Sequence, residues 1–281
     1  MLFNHIHVVR KLNAPHSEQV NRVVAKLESL AAKYNLAVLP NKEECNEHTL
    51  VIAVGGDGTM LEAMRISAER KSIALGVNLG NVGFLTDFSE FSPNSVVTIM
   101  RNIFEHHADS VYLEERVMVS AAADLDDWHV SAGNEITISR GESDATLSYR
   151  LWIDDHCAGE HRANSLIVAT PTGSTAYSLS AGGSLMMPSM KALQIVPVAP
   201  MTMTSRPIIV GERSKITVDA WGGDLAIRAD GVERHVYEQS FTKDRPFRLD
   251  LSISDSPVRI LHNVSWDFFD VLSSKLGWIK R

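Results

Sequence analysis

Apolar positions in the first hundred residues switch repeatedly between a strand-like run and a helical spacing. Ile6–Val9, Leu36–Leu39, Leu50–Val54 and Ile73–Val77 are short apolar runs of strand length. Between the first two, Glu18–Tyr34 carries Val20, Val23, Val24, Leu27, Leu30 and Ala31 at intervals that place them on one helical face. Gly58–Arg70 predicts a second helix, and Ser92–Asn94, with its central proline, predicts a helix start leading into Ser95–Phe104. Strands alternating with helices predict an α/β domain built on a parallel, doubly wound sheet.

The texture changes near residue 108. Val117–Ala122, Ile136–Ser139, Thr146–Ile153, Leu166–Thr170, Ile216–Val218, Leu225–Arg228, Phe247–Ile253 and Arg259–Leu261 all predict strands, with turn signals at Asp126–Asp127 and Trp221–Asp224. Trp266–Trp278 returns to helical spacing. The expected division is an α/β domain over 1–107, a β-rich domain over 108–263, and a terminal helix over 264–281 that packs back on the first domain.

Composition narrows the picture. A chain of 281 residues can hold two modest cores. A formal net charge of -7 argues against broad nucleic-acid binding, which needs a basic face. It also means that a bound phosphate must be neutralised locally. Two distant cysteines, Cys45 and Cys157, exclude a disulfide framework and fit a reducing compartment. No leader-like start and no run of about 18 apolar residues is present, so no membrane association and a cytoplasmic location are expected. Among the eleven histidines there is no HExxH or paired Cys/His spacing, so no protein-built metal site is expected.

The chemistry concentrates in four segments. In Val51–Leu61, VIAVGGDGTML, an apolar strand meets two glycines, an aspartate and a helix. Such a turn brings backbone close to a ligand at the carboxyl end of a sheet strand. A carboxylate repels phosphate, so Asp57 there makes sense against a hydroxyl or a metal ion; the plain alternative is a glycine-rich turn with a solvated aspartate. Asn78–Asp87, NLGNVGFLTD, is a second glycine-rich loop after a strand. Asn134-Glu135 can both donate to and accept from a base edge or a ribose diol, or can be a solvated turn. In Thr170–Gly183, TPTGSTAYSLSAGG, hydroxyls and free N–H groups can hold phosphate or ribose oxygens without cations. Ser174 or Thr175 is expected to cap a helix there, and Tyr177 to stack on a base.

GGDGT, NLGNVGFLTD, NE and TPTGSTAYSLSAGG occur in that order, and the closing LSSKLGW of Leu272–Trp278 follows them. With these the chain resembles the NAD kinases of bacterial type, from about Val51 to its end. The resemblance implies a fold of the NAD kinase/diacylglycerol kinase type, with the dinucleotide between an α/β and a β-rich domain. It implies transfer of a phosphoryl group from ATP, or from polyphosphate, to the adenosine ribose 2′-hydroxyl of NAD, with Mg²⁺ or another divalent cation on the donor phosphates. By the same resemblance Asp57 is the catalytic proton acceptor and meets the ribose with Gly58. Asn134, Glu135, Arg162, Asn164 and the run Thr175, Ala176, Tyr177, Ser178, Leu179 and Ser180 bind the dinucleotide. A homodimer or homotetramer that shares residues between subunits is implied as well.

One position departs from the family's pattern. The pair before TPTGS is Asn164-Ser165, where relatives of this kind carry Asp-Gly. Asn keeps an acceptor oxygen but loses the charge that favours a cationic nicotinamide ring. Ala145, at another family contact, offers no polar group. GGDGT is shared with lipid kinases of the diacylglycerol or sphingosine type, which makes a lipid kinase one alternative; an NAD-binding regulator without catalysis is the other.

Overall fold

The computed structural model of the chain describes residues 3–10, 17–79, 83–89, 100–101, 108–141 and 145–279. It divides into two compact units: Met1–Glu115 together with Val258–Arg281, and Arg116–Pro257.

The first unit is built on one sheet. Its strands are β1 (His5–Arg10), β2 (Ala37–Val38), β3 (Thr49–Val54), β4 (Ile73–Asn78), β5 (Phe88–Ser89), β6 (Val111–Arg116) and β19 (Val258–Asn263). Their order is β2-β1-β3-β4-β19-β6, with β5 also on β4. β1 to β5 and β19 pair in parallel. Every residue of β3 and of β4 is buried, which is why both read as unbroken apolar runs rather than as alternation. Helix α1 (Ser17–Lys33) buries Val20, Val23, Val24, Leu27 and Ala31, the face its spacing predicts, and Leu30 packs at the margin. Helix α2 (Asp57–Arg70) connects β3 to β4. The order 2-1-3-4 reverses direction between β1 and β3, and open α/β sheets bind ligands at the strand ends beside such a reversal. Gly55, Gly56 and Asp57 leave β3 at that point.

Arg259–Leu261 is a correction to the reading by texture. It lies in β19, and Arg259 and Ile260 pair with Ile73 and Ala74 of β4 in the first sheet. A strand's own period says that it is a strand but not which sheet it joins. The chain then enters helix α4 (Phe268–Leu276), which belongs to the same unit and buries Phe268, Val271 and Leu272. Of the helix expected over Ser95–Phe104, only Met100 and Arg101 are among the described residues, and both are helical. Gly80, Asn81 and Val82 of the second glycine-rich loop lie outside them.

The second unit consists of two antiparallel six-stranded sheets. The first has the order β11-β10-β15-β18-β7-β8 and the second β14-β13-β12-β9-β16-β17. The strands are β7 (Val119–Ala123), β8 (His129–Ala132), β9 (Glu135–Arg140), β10 (Leu147–Ile153), β11 (His156–Ala163), β12 (Ser165–Ala169), β13 (Ala192–Val198), β14 (Ile208–Gly211), β15 (Ile216–Trp221), β16 (Gly223–Ala229), β17 (Glu233–Phe241) and β18 (Phe247–Ile253). Inward residues from both sheets, among them Val119, Leu147, Tyr149, Ile136, Leu166 and Phe247, form one core. β12 is buried on both faces. Leu166 and Val168 join that core, while Ile167 and Ala169 pack with Val196 and Ala181 on the other side. The segment after β12 therefore folds back over its own strand.

Among the described residues no helix is long and apolar enough to cross a membrane. Cys45, buried, and Cys157, exposed, are both free thiols.

The cap of α4 supplies a test. Asp267 accepts from the N–H groups of Phe269 and Asp270 at 2.8 and 3.0 Å. Asp267→Ala leaves both donors without that partner and is expected to cost about 1 kcal/mol of helix stability. Hydrogen exchange over 268–276 should quicken while exchange in 133–198 stays the same. Unchanged exchange in α4 would show that the cap contributes nothing.

Candidate functional site

Asp57 is the first residue of α2, with Gly56 as the N-cap. Its side chain turns toward the second glycine-rich loop. Phe84 N–H donates to one carboxylate oxygen at 2.9 Å and Leu85 N–H to the other at 3.1 Å. Gly83 permits this approach, since a Cβ there would stand 1.9 Å from Asp57 Oδ1. The loop is seated in turn: Thr86 is buried and accepts from the Asn78 amide at 3.2 Å. Two loops that are separate in sequence thus become one construction, in which the second aims the carboxylate of the first. Asp57 is partly exposed, and Gly56 and Gly58 on either side are open to solvent. A half-exposed carboxylate with its rotamer fixed, flanked by bare backbone, can accept a proton from a hydroxyl brought to it.

In the second unit Asn134 and Glu135 stand at the start of β9, where three strand ends meet. Glu135 pairs with Ala169 across to β12, and Ile136 with Ala229 across to β16. Thr170 N–H donates to Asn134 O at 2.8 Å, and Thr170 Oγ1 donates to Gly133 O at 2.5 Å. Gly173 lies against the same turn, with its Cβ position 2.1 Å from Asn134 O, so any side chain there displaces Asn134. From the other side, the Asp230 carboxylate accepts from the N–H groups of Gly133 at 3.0 Å, Asn134 at 2.7 Å and Glu135 at 3.4 Å. The Asn134 side chain is left partly exposed. Glu135 is buried, and its Oε2 has no hydrogen-bond partner among the described residues. A buried acceptor without a donor is costly, and a ligand hydroxyl or amine can supply one.

The TPTGS segment forms a 3-10 turn over Thr172–Thr175 and a short helix, α3 (Tyr177–Ser180). The expected hydroxyl caps are a correction: neither helix has a side-chain cap. Ser174 is fully buried, donates to Pro171 O at 2.7 Å and accepts from Met186 N–H at 3.0 Å. Thr175 Oγ1 donates to Thr172 O at 3.2 Å. Ser178 is buried and donates to Gln194 Oε1 at 2.8 Å. These hydroxyls stitch the segment to itself and to β13. Thr175, Ala176 and Leu179 are half-buried, whereas Tyr177 and Ser180 are exposed.

Arg162 and Asn164 fall elsewhere. Both are exposed, Arg162 in β11 and Asn164 just before β12. Ser165 begins β12 and Ala169 ends it beside Glu135, which separates the two groups by about 13 Å of strand. Arg162 lines an open cavity of about 650 Å³ with Glu160, His161, Met201, Trp221 and Lys243. Within one chain, then, the structure gathers Asn134, Glu135 and 170–180 but leaves Arg162 and Asn164 at the opposite strand end. No three His, Cys, Asp or Glu side chains converge as a metal site among the described residues.

Sequence reasoning passed over Asp230. Asp230-Gly231 is a hairpin signal, and both residues take positive φ, 52° and 67°. What no local pattern announces is that this turn's carboxylate holds a different loop.

The sequence comparisons fit this architecture. Residues 8–108 match the model of the ATP-NAD kinase N-terminal domain, and 133–242 that of the ATP-NAD kinase C-terminal domain. An NAD kinase of Mannheimia succiniciproducens is 34% identical over 255 residues, covering 86% of this chain and 79% of that protein. One from Teredinibacter turnerae is 32% identical over 98% of this chain and 97% of its own. An NAD kinase from Archaeoglobus fulgidus, solved in complex with ATP, superposes with a TM-score of 0.74 at 25% identity, covering 98% of this chain and all of that one. Yeast NADH kinase, solved with NADH, shares the fold with a TM-score of 0.81 at 19% identity, over 100% and 89% of the two chains. The chain belongs to the ATP-NAD kinase family.

The Glu135 environment has a measurable consequence. Burial, with the Asp230 charge adding to it, pushes the Glu135 carboxyl up to about 7. An unfolded chain titrates glutamate near about 4.3, so between the two values the folded chain holds a proton that the unfolded chain has lost. The contribution of Glu135 to stability is therefore complete below the lower value and is lost as pH rises through the upper one. Thermal unfolding from about pH 4 to pH 8 should show Glu135→Gln gaining on the native chain as pH rises. A constant gap between the two curves would contradict the buried carboxyl.

Proposed function

We propose that the chain phosphorylates the adenosine ribose 2′-hydroxyl of NAD, with Asp57 as the general base. The family match supports NAD phosphorylation and disfavours a lipid kinase. The observation that carries the residue assignment is the Asp57 carboxylate, fixed by two amides and flanked by exposed glycine backbone. A ribose hydroxyl is a poor nucleophile at neutral pH, and a positioned carboxylate that takes its proton as the new P–O bond forms contributes roughly 10²–10⁴-fold. Gly58 lies against the ribose by its backbone. Asn134 holds the base edge or ribose, and Glu135 takes a ligand hydroxyl at its unpartnered oxygen. Thr175, Ala176, Tyr177, Leu179 and Ser180 supply backbone, hydroxyl and ring surface to the dinucleotide, while Ser178 serves through its backbone.

ATP is the phosphoryl donor, with polyphosphate as the alternative. Mg²⁺ or another divalent cation would enter on the donor phosphates. When bound, it offsets the donor charge that the acidic chain does not offset itself.

Arg162 and Asn164 act on the nicotinamide half of the ligand from a second subunit. Their distance along β12 from Glu135 supports a homodimer or homotetramer in which this end is shared. The enzyme is cytoplasmic.

Two substitutions test the assignment. Asp57→Asn should leave NAD binding nearly unchanged in calorimetry while cutting NADP formation by at least about a hundredfold. Turnover near that of the native chain would remove Asp57 as the base, and binding with no NADP formed by the native chain from ATP or polyphosphate would favour a regulator. Asn164→Asp restores a charge beside the ring and should raise the kcat/KM ratio of NAD⁺ over NADH. Competition kinetics that give an unchanged ratio would refute that role.

A further inference from the structure

A buried ionic cage stands behind the loop that aims Asp57. His262, the fifth residue of β19, is fully buried. Its Nδ1 faces Asp87 Oδ2 at 3.3 Å and its Nε2 faces Glu114 Oε2 at 3.1 Å. Two aromatic rings stack against it, Tyr112 at 5.5 Å and 30° and Trp266 at 4.5 Å and 24° between ring planes. Two carboxylates therefore face its two nitrogens while two aromatic rings stack against it.

Asp87 depends on that imidazole. It is nearly buried, its Oδ2 also accepts from Asn263 N–H at 2.8 Å, and its Oδ1 has no partner among the described residues. Removing the imidazole takes a further partner from a nearly buried carboxylate, which is costly.

Asp87 also closes the loop that opens with Gly83. Two residues before it, the Leu85 amide donates to Asp57, with the Phe84 amide beside it. A continuous chain of contacts therefore runs from Glu114 through His262 and Asp87, along buried Thr86, to the Asp57 carboxylate. Every member lies in the first compact unit. Neither the ligand contacts nor the proton transfer proposed above uses His262.

We propose that His262 is a positioning residue for Asp57: clamped between Asp87 and Glu114, it anchors the loop whose two amides set the carboxylate's direction. This rests on the reading of Asp57 as the base. Lysine in its place has no flat face for the two rings, and glutamine keeps hydrogen-bonding capacity without an aromatic ring.

The test uses His262→Gln, with Asp87→Asn as a second and milder variant that keeps an oxygen for Asn263 N–H. Hydrogen exchange in the peptide carrying Phe84 and Leu85 should quicken in both variants, with peptides of 133–198 unchanged. Turnover in NADP formation should fall by about ten- to a hundredfold at a nearly constant KM for NAD, the mark of a misaimed group rather than a lost binding contact. In the Asp57→Asn background, His262→Gln should lower turnover no further, because there is no longer a carboxylate to aim. Equal losses with and without Asp57 overturn the proposal, as does unchanged exchange at 83–87. If Asp57→Asn alone turns over like the native chain, the base assignment fails by itself, and the exchange data still decide whether the cage holds the loop.

Discussion

The two hydrogen bonds from Phe84 and Leu85 to the Asp57 carboxylate are the constraint on which the first unit's chemistry depends. An aspartate in the first turn of a helix ordinarily gains from the unpaired N–H groups at that end. Here the neighbouring loop supplies the donors, and it can do so because residue 83 has no side chain to block the approach. The two glycine-rich motifs are therefore coupled parts of one device. The first presents a carboxylate at the strand end beside the sheet's reversal, and the second fixes where it points.

The second unit uses the opposite arrangement. At Asn134-Glu135 the carboxylate that organises the turn belongs to Asp230, which takes three backbone N–H groups. Glu135 is left buried, close to that charge and with an oxygen unpartnered. One acid is satisfied by the backbone and the other is held unsatisfied. A protein keeps such an unsatisfied group at a cost in stability, and positions of that kind concentrate at functional sites. The turn is pinned from both flanking strands, by Thr170 on one side and Asp230 on the other.

Sequence reading reached the alternation of the first unit, the face that α1 buries and the four motif segments, because each of these is written in local period or composition. It missed β5, β6, β8, β11, β13, β14 and β17. The pattern of β11, HCAGEHRA, is exposed on most positions, and an edge strand of this kind is defined by its partner rather than by its own residues. Gln194 and Pro197 interrupt β13 for different reasons: Gln194 is buried against Ser178, and its pairing is visible only once the TPTGS segment has folded over the sheet. The same limit explains the hydroxyls of that segment. Its closely spaced hydroxyls read as ligand donors or caps, yet the structure spends Ser174, Thr175 and Ser178 on internal bonds.

Collinear motifs invite the inference that their residues meet in one place, but chain order does not fix which end of a strand a residue occupies. Arg162 and Asn164 come only a few residues before TPTGS in sequence, and β12 carries the chain from one end of its sheet to the other between them. Five buried residues in extended form span more than the reach of a side chain. A strand is thus a spacer as much as a structural element. Groups at its two ends can serve one ligand only if that ligand is long or if a second chain brings its own copy of the far end. The separation is a property of this chain alone and holds whichever of the two is the case.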